Sequence, residues 1–290
     1  MNASALPVSF QAWFTGRNWV PRAHQLDLLA ADQAGDHSLL IAPTGAGKTL
    51  AGFLPSLIDL AEGGDQPRGL HTLYISPLKA LAVDVERNLM TPIHEMGLPI
   101  RVETRTGDTP TTKRQRQRYN PPNLLLTTPE QVALFVGMPD ASNMFQGLRR
   151  IIIDEAHALA PTKRGDLLAL GMAALQRVAP AARRTGLSAT VADEKALAQW
   201  IAPQMGSGAR YARIVRGPQG TTPDISMLLS EERVPWAGHT GRHAMQEVYQ
   251  AIERTQMALV FVNTRFQAEL AFQELWKIND ANLPIALHHG

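Results

Sequence analysis

The stretch Ala42-Pro43-Thr44-Gly45-Ala46-Gly47-Lys48-Thr49 constrains this chain more than any other. Before it, Ser38-Leu39-Leu40-Ile41 reads as a buried parallel strand, and after it Leu50-Ala51-Gly52-Phe53-Leu54 continues in good helix formers. A strand, a glycine-rich turn and a helix in that order are the setting that a phosphate-binding loop needs. Gly45 and Gly47 let backbone N–H groups turn inward around phosphate oxygens, and the helix N-terminus adds its partial positive charge. Lys48 is placed to reach β- and γ-phosphates, and the Thr49 hydroxyl to hold Mg²⁺. The strict pattern opens with glycine where this chain has Ala42, but the Gly-x-Gly-Lys-Thr core and its flanks are intact.

Upstream, Phe10, Trp13, Phe14 and Trp19 are dense for a segment ahead of a first strand and read partly as a hydrophobic lid. Pro21 then limits a helix that opens through Arg22-Ala23-His24-Gln25. An amide such as that of Gln25 carries both a donor and an acceptor, which suits an adenine edge. Downstream of the loop, further strands are expected at Leu70–Ser76, Ile100–Thr104 and Asn123–Thr127. Each runs into a polar or proline-marked turn: Pro77-Leu78-Lys79, Arg105-Thr106-Gly107-Asp108 and Thr128-Pro129-Glu130. Asp108 or Thr109 is expected to cap a short helix, and Thr91-Pro92 to kink or interrupt another. That short helix carries Lys113, Arg114, Arg116 and Arg118, which reads either as a solvated face or as a contact for a phosphate backbone.

Ile151-Ile152-Ile153 is a β-branched run ending in Asp154-Glu155-Ala156-His157. An acidic pair at the end of a central strand, downstream of a phosphate loop, suits Mg²⁺–nucleotide chemistry: Asp154 for the metal, Glu155 to orient and deprotonate a water. Gly186–Thr190 ends another strand, and the Ser188 and Thr190 hydroxyls are expected to bond across to the Asp154–His157 stretch. Helices are expected at Asp166–Val178 and Asp193–Ile201.

A shift toward glycine, proline and threonine marks residues 206–223 as a linker. The expected organisation is therefore a first α/β domain over residues 1–205 and a second over 224–290. The second is read as strands at Ile225–Leu229, Ala258–Val262 and Ile285–Leu287, with helices at Arg242–Thr255 and from Arg265 to Lys277. Three strands are few for a parallel sheet, so this domain is read as the start of a larger one and the chain as part of something longer.

The 290 residues leave room for about two domains. With 44% hydrophobic and 19% charged residues the composition is that of an ordinary globular protein. No run approaches the roughly 20 uncharged residues of a membrane span. The first residues lack the basic start and apolar core of a signal peptide, so a cytoplasmic location with no membrane contact is expected. No cysteine is present, which excludes disulfides, thiolate metal sites and cysteine nucleophiles. The net charge of +2 does not by itself argue for a nucleic-acid partner.

The ordered set PRAHQ, APTGAGKT, SPLKAL, RTGDT, TTPEQ, DEAH, SAT and FVNTR resembles superfamily 2 helicases. The stretch Asp154–Gly165 and the RTGDTP segment bring it near the large helicase-related proteins, in the branch of ligase-associated DEXH-box DNA repair helicases. This resemblance covers the whole chain and implies a RecA-like P-loop NTPase domain with a parallel sheet, followed by an incomplete second RecA-like domain. It implies ATP and Mg²⁺ as the cofactors. Arg22 and Gln25 would recognise adenine, with no preference yet among Phe10, Trp13, Phe14 and Trp19 as the stacking residue. Thr44, Gly45, Ala46, Gly47, Lys48 and Thr49 would bind the triphosphate and its metal. Asp154 would hold the metal and Glu155 act as catalytic base, with Lys48 assisting. His157, beside the nucleotide, would with Ser188 and Thr190 couple hydrolysis to domain movement. Pro77, Lys79, Arg105, Thr106, Gly107, Thr128, Pro129, Glu130, Asn263, Thr264, Arg265 and His289 would contact a nucleic-acid strand.

By the same resemblance the activity is ATP-dependent movement along a strand, on DNA with 3′–5′ polarity in repair, with a DNA ligase or nuclease as a partner. An ATP-gated clamp or an RNA-directed helicase without processive unwinding uses the same motifs and stays open. A metabolic P-loop kinase is not expected to carry SAT, TTPEQ and FVNTR beside DEAH. In this family, arginines later in the second domain stabilise the transition state, and such a residue can be worth about 10³–10⁵ in rate. The chain as written is therefore expected to bind ATP–Mg²⁺ and hydrolyse it poorly.

Overall fold

The computed structural model describes residues 6–63, 69–218, 220, 222–229 and 241–288. They fall into two compact units, one through Gly220 and one after it.

The first unit starts with α1 (Val8–Gly16) and α2 (Ala23–Gln33), followed by β1 (Ser38–Ile41) and α3 (Lys48–Glu62). Next come β2 (Thr72–Ile75), α4 (Lys79–Glu95), β3 (Val102–Arg105), α5 (Thr111–Tyr119) and β4 (Leu124–Thr127). The helices α6 (Pro129–Val136) and α7 (Ala141–Phe145) lead to β5 (Arg150–Ile153). Helices α8 (Ala156–Leu159) and α9 (Lys163–Val178), strand β6 (Arg183–Ser188), α10 (Glu194–Ile201) and β7 (Arg213–Arg216) complete it. The strands form one sheet in the order β3-β4-β2-β5-β6-β1-β7, and every pairing is parallel.

The alternation of strand side chains divides the core in two. Leu40, Tyr74, Leu126 and Ile152 enter one cluster with α1, α2, α3 and α4, and Leu39, Leu73, Leu125 and Ile151 enter the other with α6, α9 and α10. Burial on both faces explains why β2, β4 and β5 each carry three consecutive apolar residues. Because all strands run the same way, their C-terminal ends share one edge, where ligands of open α/β sheets bind.

Four local expectations change. Arg213–Arg216, inside the stretch read as a linker, is the edge strand β7 paired with β1. Pro92 neither interrupts nor ends α4, which runs on to Glu95 with Pro92 buried. Packing of Leu89 and Ile93 into the core outweighs the lost hydrogen bond. Neither Asp108 nor Thr109 caps α5, whose N-cap is Pro110, and the Thr109 hydroxyl instead accepts from the Thr106 N–H. The fourth change concerns the second unit, where α11 (Met245–Glu253) follows a short 3₁₀ turn and α12 (Arg265–Lys277) is capped by Thr264. Its expected strands at 225–229, 258–262 and 285–287 form no strand pairing among the described residues. Leu259 and Phe261 stand 75% and 88% exposed, so apolar character alone made no strand without a neighbour to share the ladder.

At the sheet edge opposite the strand C-termini, His37 Nδ1 accepts the Arg184 N–H at 3.0 Å. Burial, joined by Arg184, Arg183 and Arg210 and opposed by Asp36, lowers this imidazole from 6.5 to about 4. The unfolded chain therefore takes up a proton between those values that the folded chain refuses. Stability is full above about pH 6.5 and falls as the pH is lowered toward 4. The unfolding midpoint should drop across that window, and His37→Asn, which keeps an acceptor but does not titrate, should flatten the drop. An equally steep profile in that variant would remove His37 as the cause.

Candidate functional site

The loop between β1 and α3 is shaped by its glycines. Gly45 and Gly47 have φ of 78° and 76°, a region costly for other residues. Gly47 is the N-cap of α3 and has no side chain to satisfy the first N–H groups, which leaves them for a ligand. Lys48 Nζ folds back onto the carbonyls of Ala42 (3.0 Å) and Pro43 (3.2 Å). Three residues of α2 and its approach brace the same loop. Arg22 donates to the Gly45 carbonyl at 2.9 Å, and Gln25 Nε2 lies 3.5 Å from the Gly47 carbonyl. The Gln25 Oε1 accepts the Arg22 N–H at 2.9 Å. The third, His24, was not singled out from the sequence: it is 1% exposed and its Nε2 sits 2.9 Å from the Ala46 carbonyl. Burial lowers its pKa, against the hydrogen bond to Ala46. Its place between Arg22 and Gln25 in PRAHQ was the available signal, and only the fold shows that it reaches the loop.

Beside this loop lies a cavity of about 590 Å³ lined by Trp13, Arg17, Trp19, Gln25, Gly47 and Thr49, among others. Phe10 and Phe14 are buried in the core at 1% and 3% exposure, so the freer aromatic faces belong to Trp13 and Trp19. These two rings meet edge to face at 5.8 Å, with the Arg17 guanidinium over both. Glu95 of α4 ties the wall in place by accepting from Trp13 Nε1 at 2.8 Å and from Arg17 Nε at 2.8 Å.

The acidic stretch stands at the end of β5, two strands from β1 in the sheet. Asp154 is 8% exposed; its Oδ1 accepts the Glu155 N–H at 2.9 Å and its Oδ2 accepts the Tyr74 hydroxyl. Burial and the adjacent Asp154 carboxylate raise Tyr74 well above the usual phenol range, so it remains a donor. Glu155 has φ 46°, a left-handed turn that is uncommon outside glycine and is typical of functional turns. Of the Ser188 and Thr190 hydroxyls, that of Ser188 at the end of β6 lies 2.9 Å from His157 Nδ1, whereas Thr190, two residues on, is exposed. A hydroxyl from Thr49 and a carboxylate from Asp154 are the hard oxygen donors that Mg²⁺ favours. No group of three or more His, Cys, Asp or Glu side chains able to hold a metal ion exists among the described residues.

The remaining loops occupy the same sheet edge. Lys79 is exposed and donates to both Asp108 oxygens, at 2.8 and 3.0 Å, joining the loops after β2 and β3. Gly107 lies against the end of that lysine, and Pro77 and Glu130 are accessible. Thr106, Thr128 and Pro129 are buried, so only their backbones or edges can meet a strand. Arg105 is corrected. It is 4% exposed, stacks over Phe135 at 4.6 Å and donates to the Arg114 carbonyl, so its guanidinium supports the loop from beneath. The basic helix is also largely committed: Arg116 bonds Glu103, Arg118 bonds Asp140, and Arg114 holds the Thr106 and Gly107 carbonyls. Its sequence run concealed partners that come from β3 and from the approach to α7. Asn263, Thr264 and Arg265 open α12 in the second unit, and His289 lies outside the described residues.

The family model described as DEAD/DEAH box helicase matches residues 22–198. The chain is 37% identical to the Lhr helicase/probable uracil glycosylase of Mycolicibacterium smegmatis, over 96% of this chain and 19% of that protein. It is 34% identical to the ATP-dependent helicase Lhr-Core of Methanothermobacter thermautotrophicus, over 81% of this chain and 29% of that one. The chain thus spans roughly a fifth to a third of these relatives' length. Among solved structures, Mycobacterium smegmatis helicase Lhr bound to ssDNA and AMP-PNP superposes with a TM-score of 0.78 at 36% identity. That match covers 95% of this chain and 36% of the other. DUF1998 helicase MrfA bound to DNA and AMPPNP, at 20% identity and a TM-score of 0.76, shares the fold.

Proposed function

Because this chain belongs to the DEAD/DEAH box helicase family, we propose that it is the ATP-hydrolysing motor region of an Lhr-type helicase that grips and moves along a nucleic-acid strand. The observation that carries this reading is the single sheet edge on which the phosphate loop, the acidic turn, the Ser188–His157 link and three further loops all stand. On ATP binding, Lys48 exchanges the Ala42 and Pro43 carbonyls for β- and γ-phosphate oxygens, while Gly45–Thr49 N–H groups receive the others. The adenine enters the cavity between Gln25 and the Trp13–Trp19 wall. Thr49 and Asp154 would hold Mg²⁺, which neutralises phosphate charge when bound. Glu155 orients the attacking water and accepts its proton. His157, tied to Ser188, carries the change at the acidic turn into the stretch that leaves β6.

Lys79, the Gly107 turn and the ends of β4 hold phosphates of the strand without reading bases. Single-stranded DNA is the proposed substrate, which is supported by the ssDNA in the similar Lhr structure. Movement with 3′–5′ polarity, a role in repair beside a ligase or nuclease, and a cytoplasmic site of action complete the proposal. No described helix is long and apolar enough to cross a membrane.

The test is the fold-change in ATP turnover, over the low basal rate expected of this chain, on adding single-stranded DNA or RNA of the same sequence. Stimulation by DNA is expected. Stimulation by RNA alone would transfer the reading to an RNA-directed enzyme, and turnover blind to both would overturn the strand-coupled motor.

A further inference from the structure

Arg164 links the acidic turn to two loops that lie far from it in sequence. The chain leaves α8 and enters α9 through a corner with little freedom. Thr162 caps α9 by accepting the Gly165 N–H at 3.2 Å. A Cβ on Gly165 would lie 2.2 Å from the Leu159 carbonyl oxygen, so the corner closes only around glycine. Glu155 is the N-cap of α8, so the catalytic turn and the start of α9 share one stiff segment. From it, Arg164 Nε donates to Glu130 Oε1 at 2.6 Å and Nη2 to the Pro77 carbonyl at 2.8 Å. Burial, the largest single influence, opposes ionisation of Glu130, but hydrogen bonds from Arg164, its own backbone and Thr128, with the Arg164 charge, together hold its carboxyl below the usual range. One guanidinium therefore joins the corner between α8 and α9 to the first turn of α6 after β4 and to the loop after β2, 34 and 87 residues away.

We propose that Arg164 is a positioning residue that couples nucleotide state at the Asp154–His157 turn to the grip of the loops at Pro77 and Glu130 on a strand. This rests on the reading of those loops as strand contacts. The guanidinium fork suits the task because two of its donors have fixed directions and separate acceptors, which a lysine ammonium on its flexible stem does not reproduce. The pair is 42% and 48% exposed at its side chains, so its contribution to folding is small and its effect should appear in coupling.

The experiment measures affinity of the full 290-residue chain for a fluorescent single-stranded DNA, with and without AMP-PNP, over a range of salt. In the unaltered chain AMP-PNP should change strand affinity by a definite ratio. In Arg164→Ala that ratio should shrink about 3- to 30-fold, while AMP-PNP affinity without DNA and the thermal midpoint stay put. The salt slope should also hold, because Arg164 is engaged with protein oxygens. Arg164→Lys should not restore the ratio. An unchanged ratio in Arg164→Ala would overturn the inference and leave the strand reading standing. A salt slope lower by about one would overturn it differently, by making Arg164 a direct phosphate contact. If the unaltered chain bound no DNA at all, the strand reading would fail and this inference with it.

Discussion

Glu155→Gln is expected to lower ATP turnover by about 10²–10⁴-fold while leaving ATP affinity within about twofold, the range that a positioned general base supplies. The substitution keeps the size and a hydrogen-bonding end but cannot take a proton from water. Nothing around Glu155 requires the carboxylate for folding. It is partly exposed at a left-handed turn, and its carboxylate stands 3.5 Å from His157 Nδ1. Binding should survive because the phosphate loop after β1 and the Gln25 cavity, lined from α1, α2, α3 and α4, are separate from the acidic turn in sequence. Single-turnover hydrolysis beside titration with a fluorescent ATP analogue separates the two quantities. Turnover within threefold of the parent would remove Glu155 as the base; loss of binding in step with turnover would make its role structural. Lys48→Ala provides the contrast, since removing the phosphate-facing ammonium should reduce both.

Arg150→Met should be the most destabilising substitution at the opposite edge of the sheet, at about 3–5 kcal/mol, the usual cost of leaving a buried charge without its partner. Arg150 opens β5 at 2% exposure. Its Nε and Nη2 donate to Asp32 at 2.8 and 2.5 Å, and its Nη1 donates to Asp59 at 2.6 Å. Asp59 is lowered to about 2: burial opposes its ionisation, and His71 and Arg150 more than offset that. Without the guanidinium, Asp32 remains 6% exposed with only Arg183, 3.4 Å distant, to balance it. That second arginine places the expected cost toward the lower end of the range. Chemical denaturation should show a lower midpoint with an unchanged slope. Adding Asp32→Asn should recover much of the loss, because the uncompensated charge then goes too. A loss below about 1 kcal/mol in Arg150→Met would show that water or Arg183 already satisfies Asp32.

The two substitutions act on opposite ends of the same strand, and that separation is a property of the fold. The C-terminal end of β5 carries a turn with exposed chemistry and few local partners. Its N-terminal end carries a buried polar clamp that joins α2, α3 and β5. The turn proposed as catalytic can tolerate a left-handed residue at position 155 because the strand beneath it is held at both faces and at its far end.

Residues in continuous stretches determined much of this protein before any coordinates. Strand, glycine-rich turn and helix at 38–54 are local events, governed by φ freedom at Gly45 and Gly47 and by the apolar run before them. The acidic turn after an isoleucine run and the hydroxyl-bearing end of β6 were legible in the same way. What local patterns lacked was any record of which charges meet. Arg105 reads by resemblance as a strand contact, and Arg114, Arg116 and Arg118 as a solvated face or a phosphate contact, because their partners lie on other elements; the fold places them on Phe135, Glu103, Asp140 and backbone carbonyls. His24 and Arg164 went unremarked because a histidine or arginine has no meaning until the loop opposite it is known. Strand propensity misled in the second unit for the corresponding reason: a helix closes its hydrogen bonds within its own residues, whereas a strand needs a neighbour. Sequence determined the local conformations and the chemical groups. Only tertiary structure decided the partners, because Arg150 and Asp32 are 118 residues apart and are brought together solely by the packing of α2 beneath the sheet.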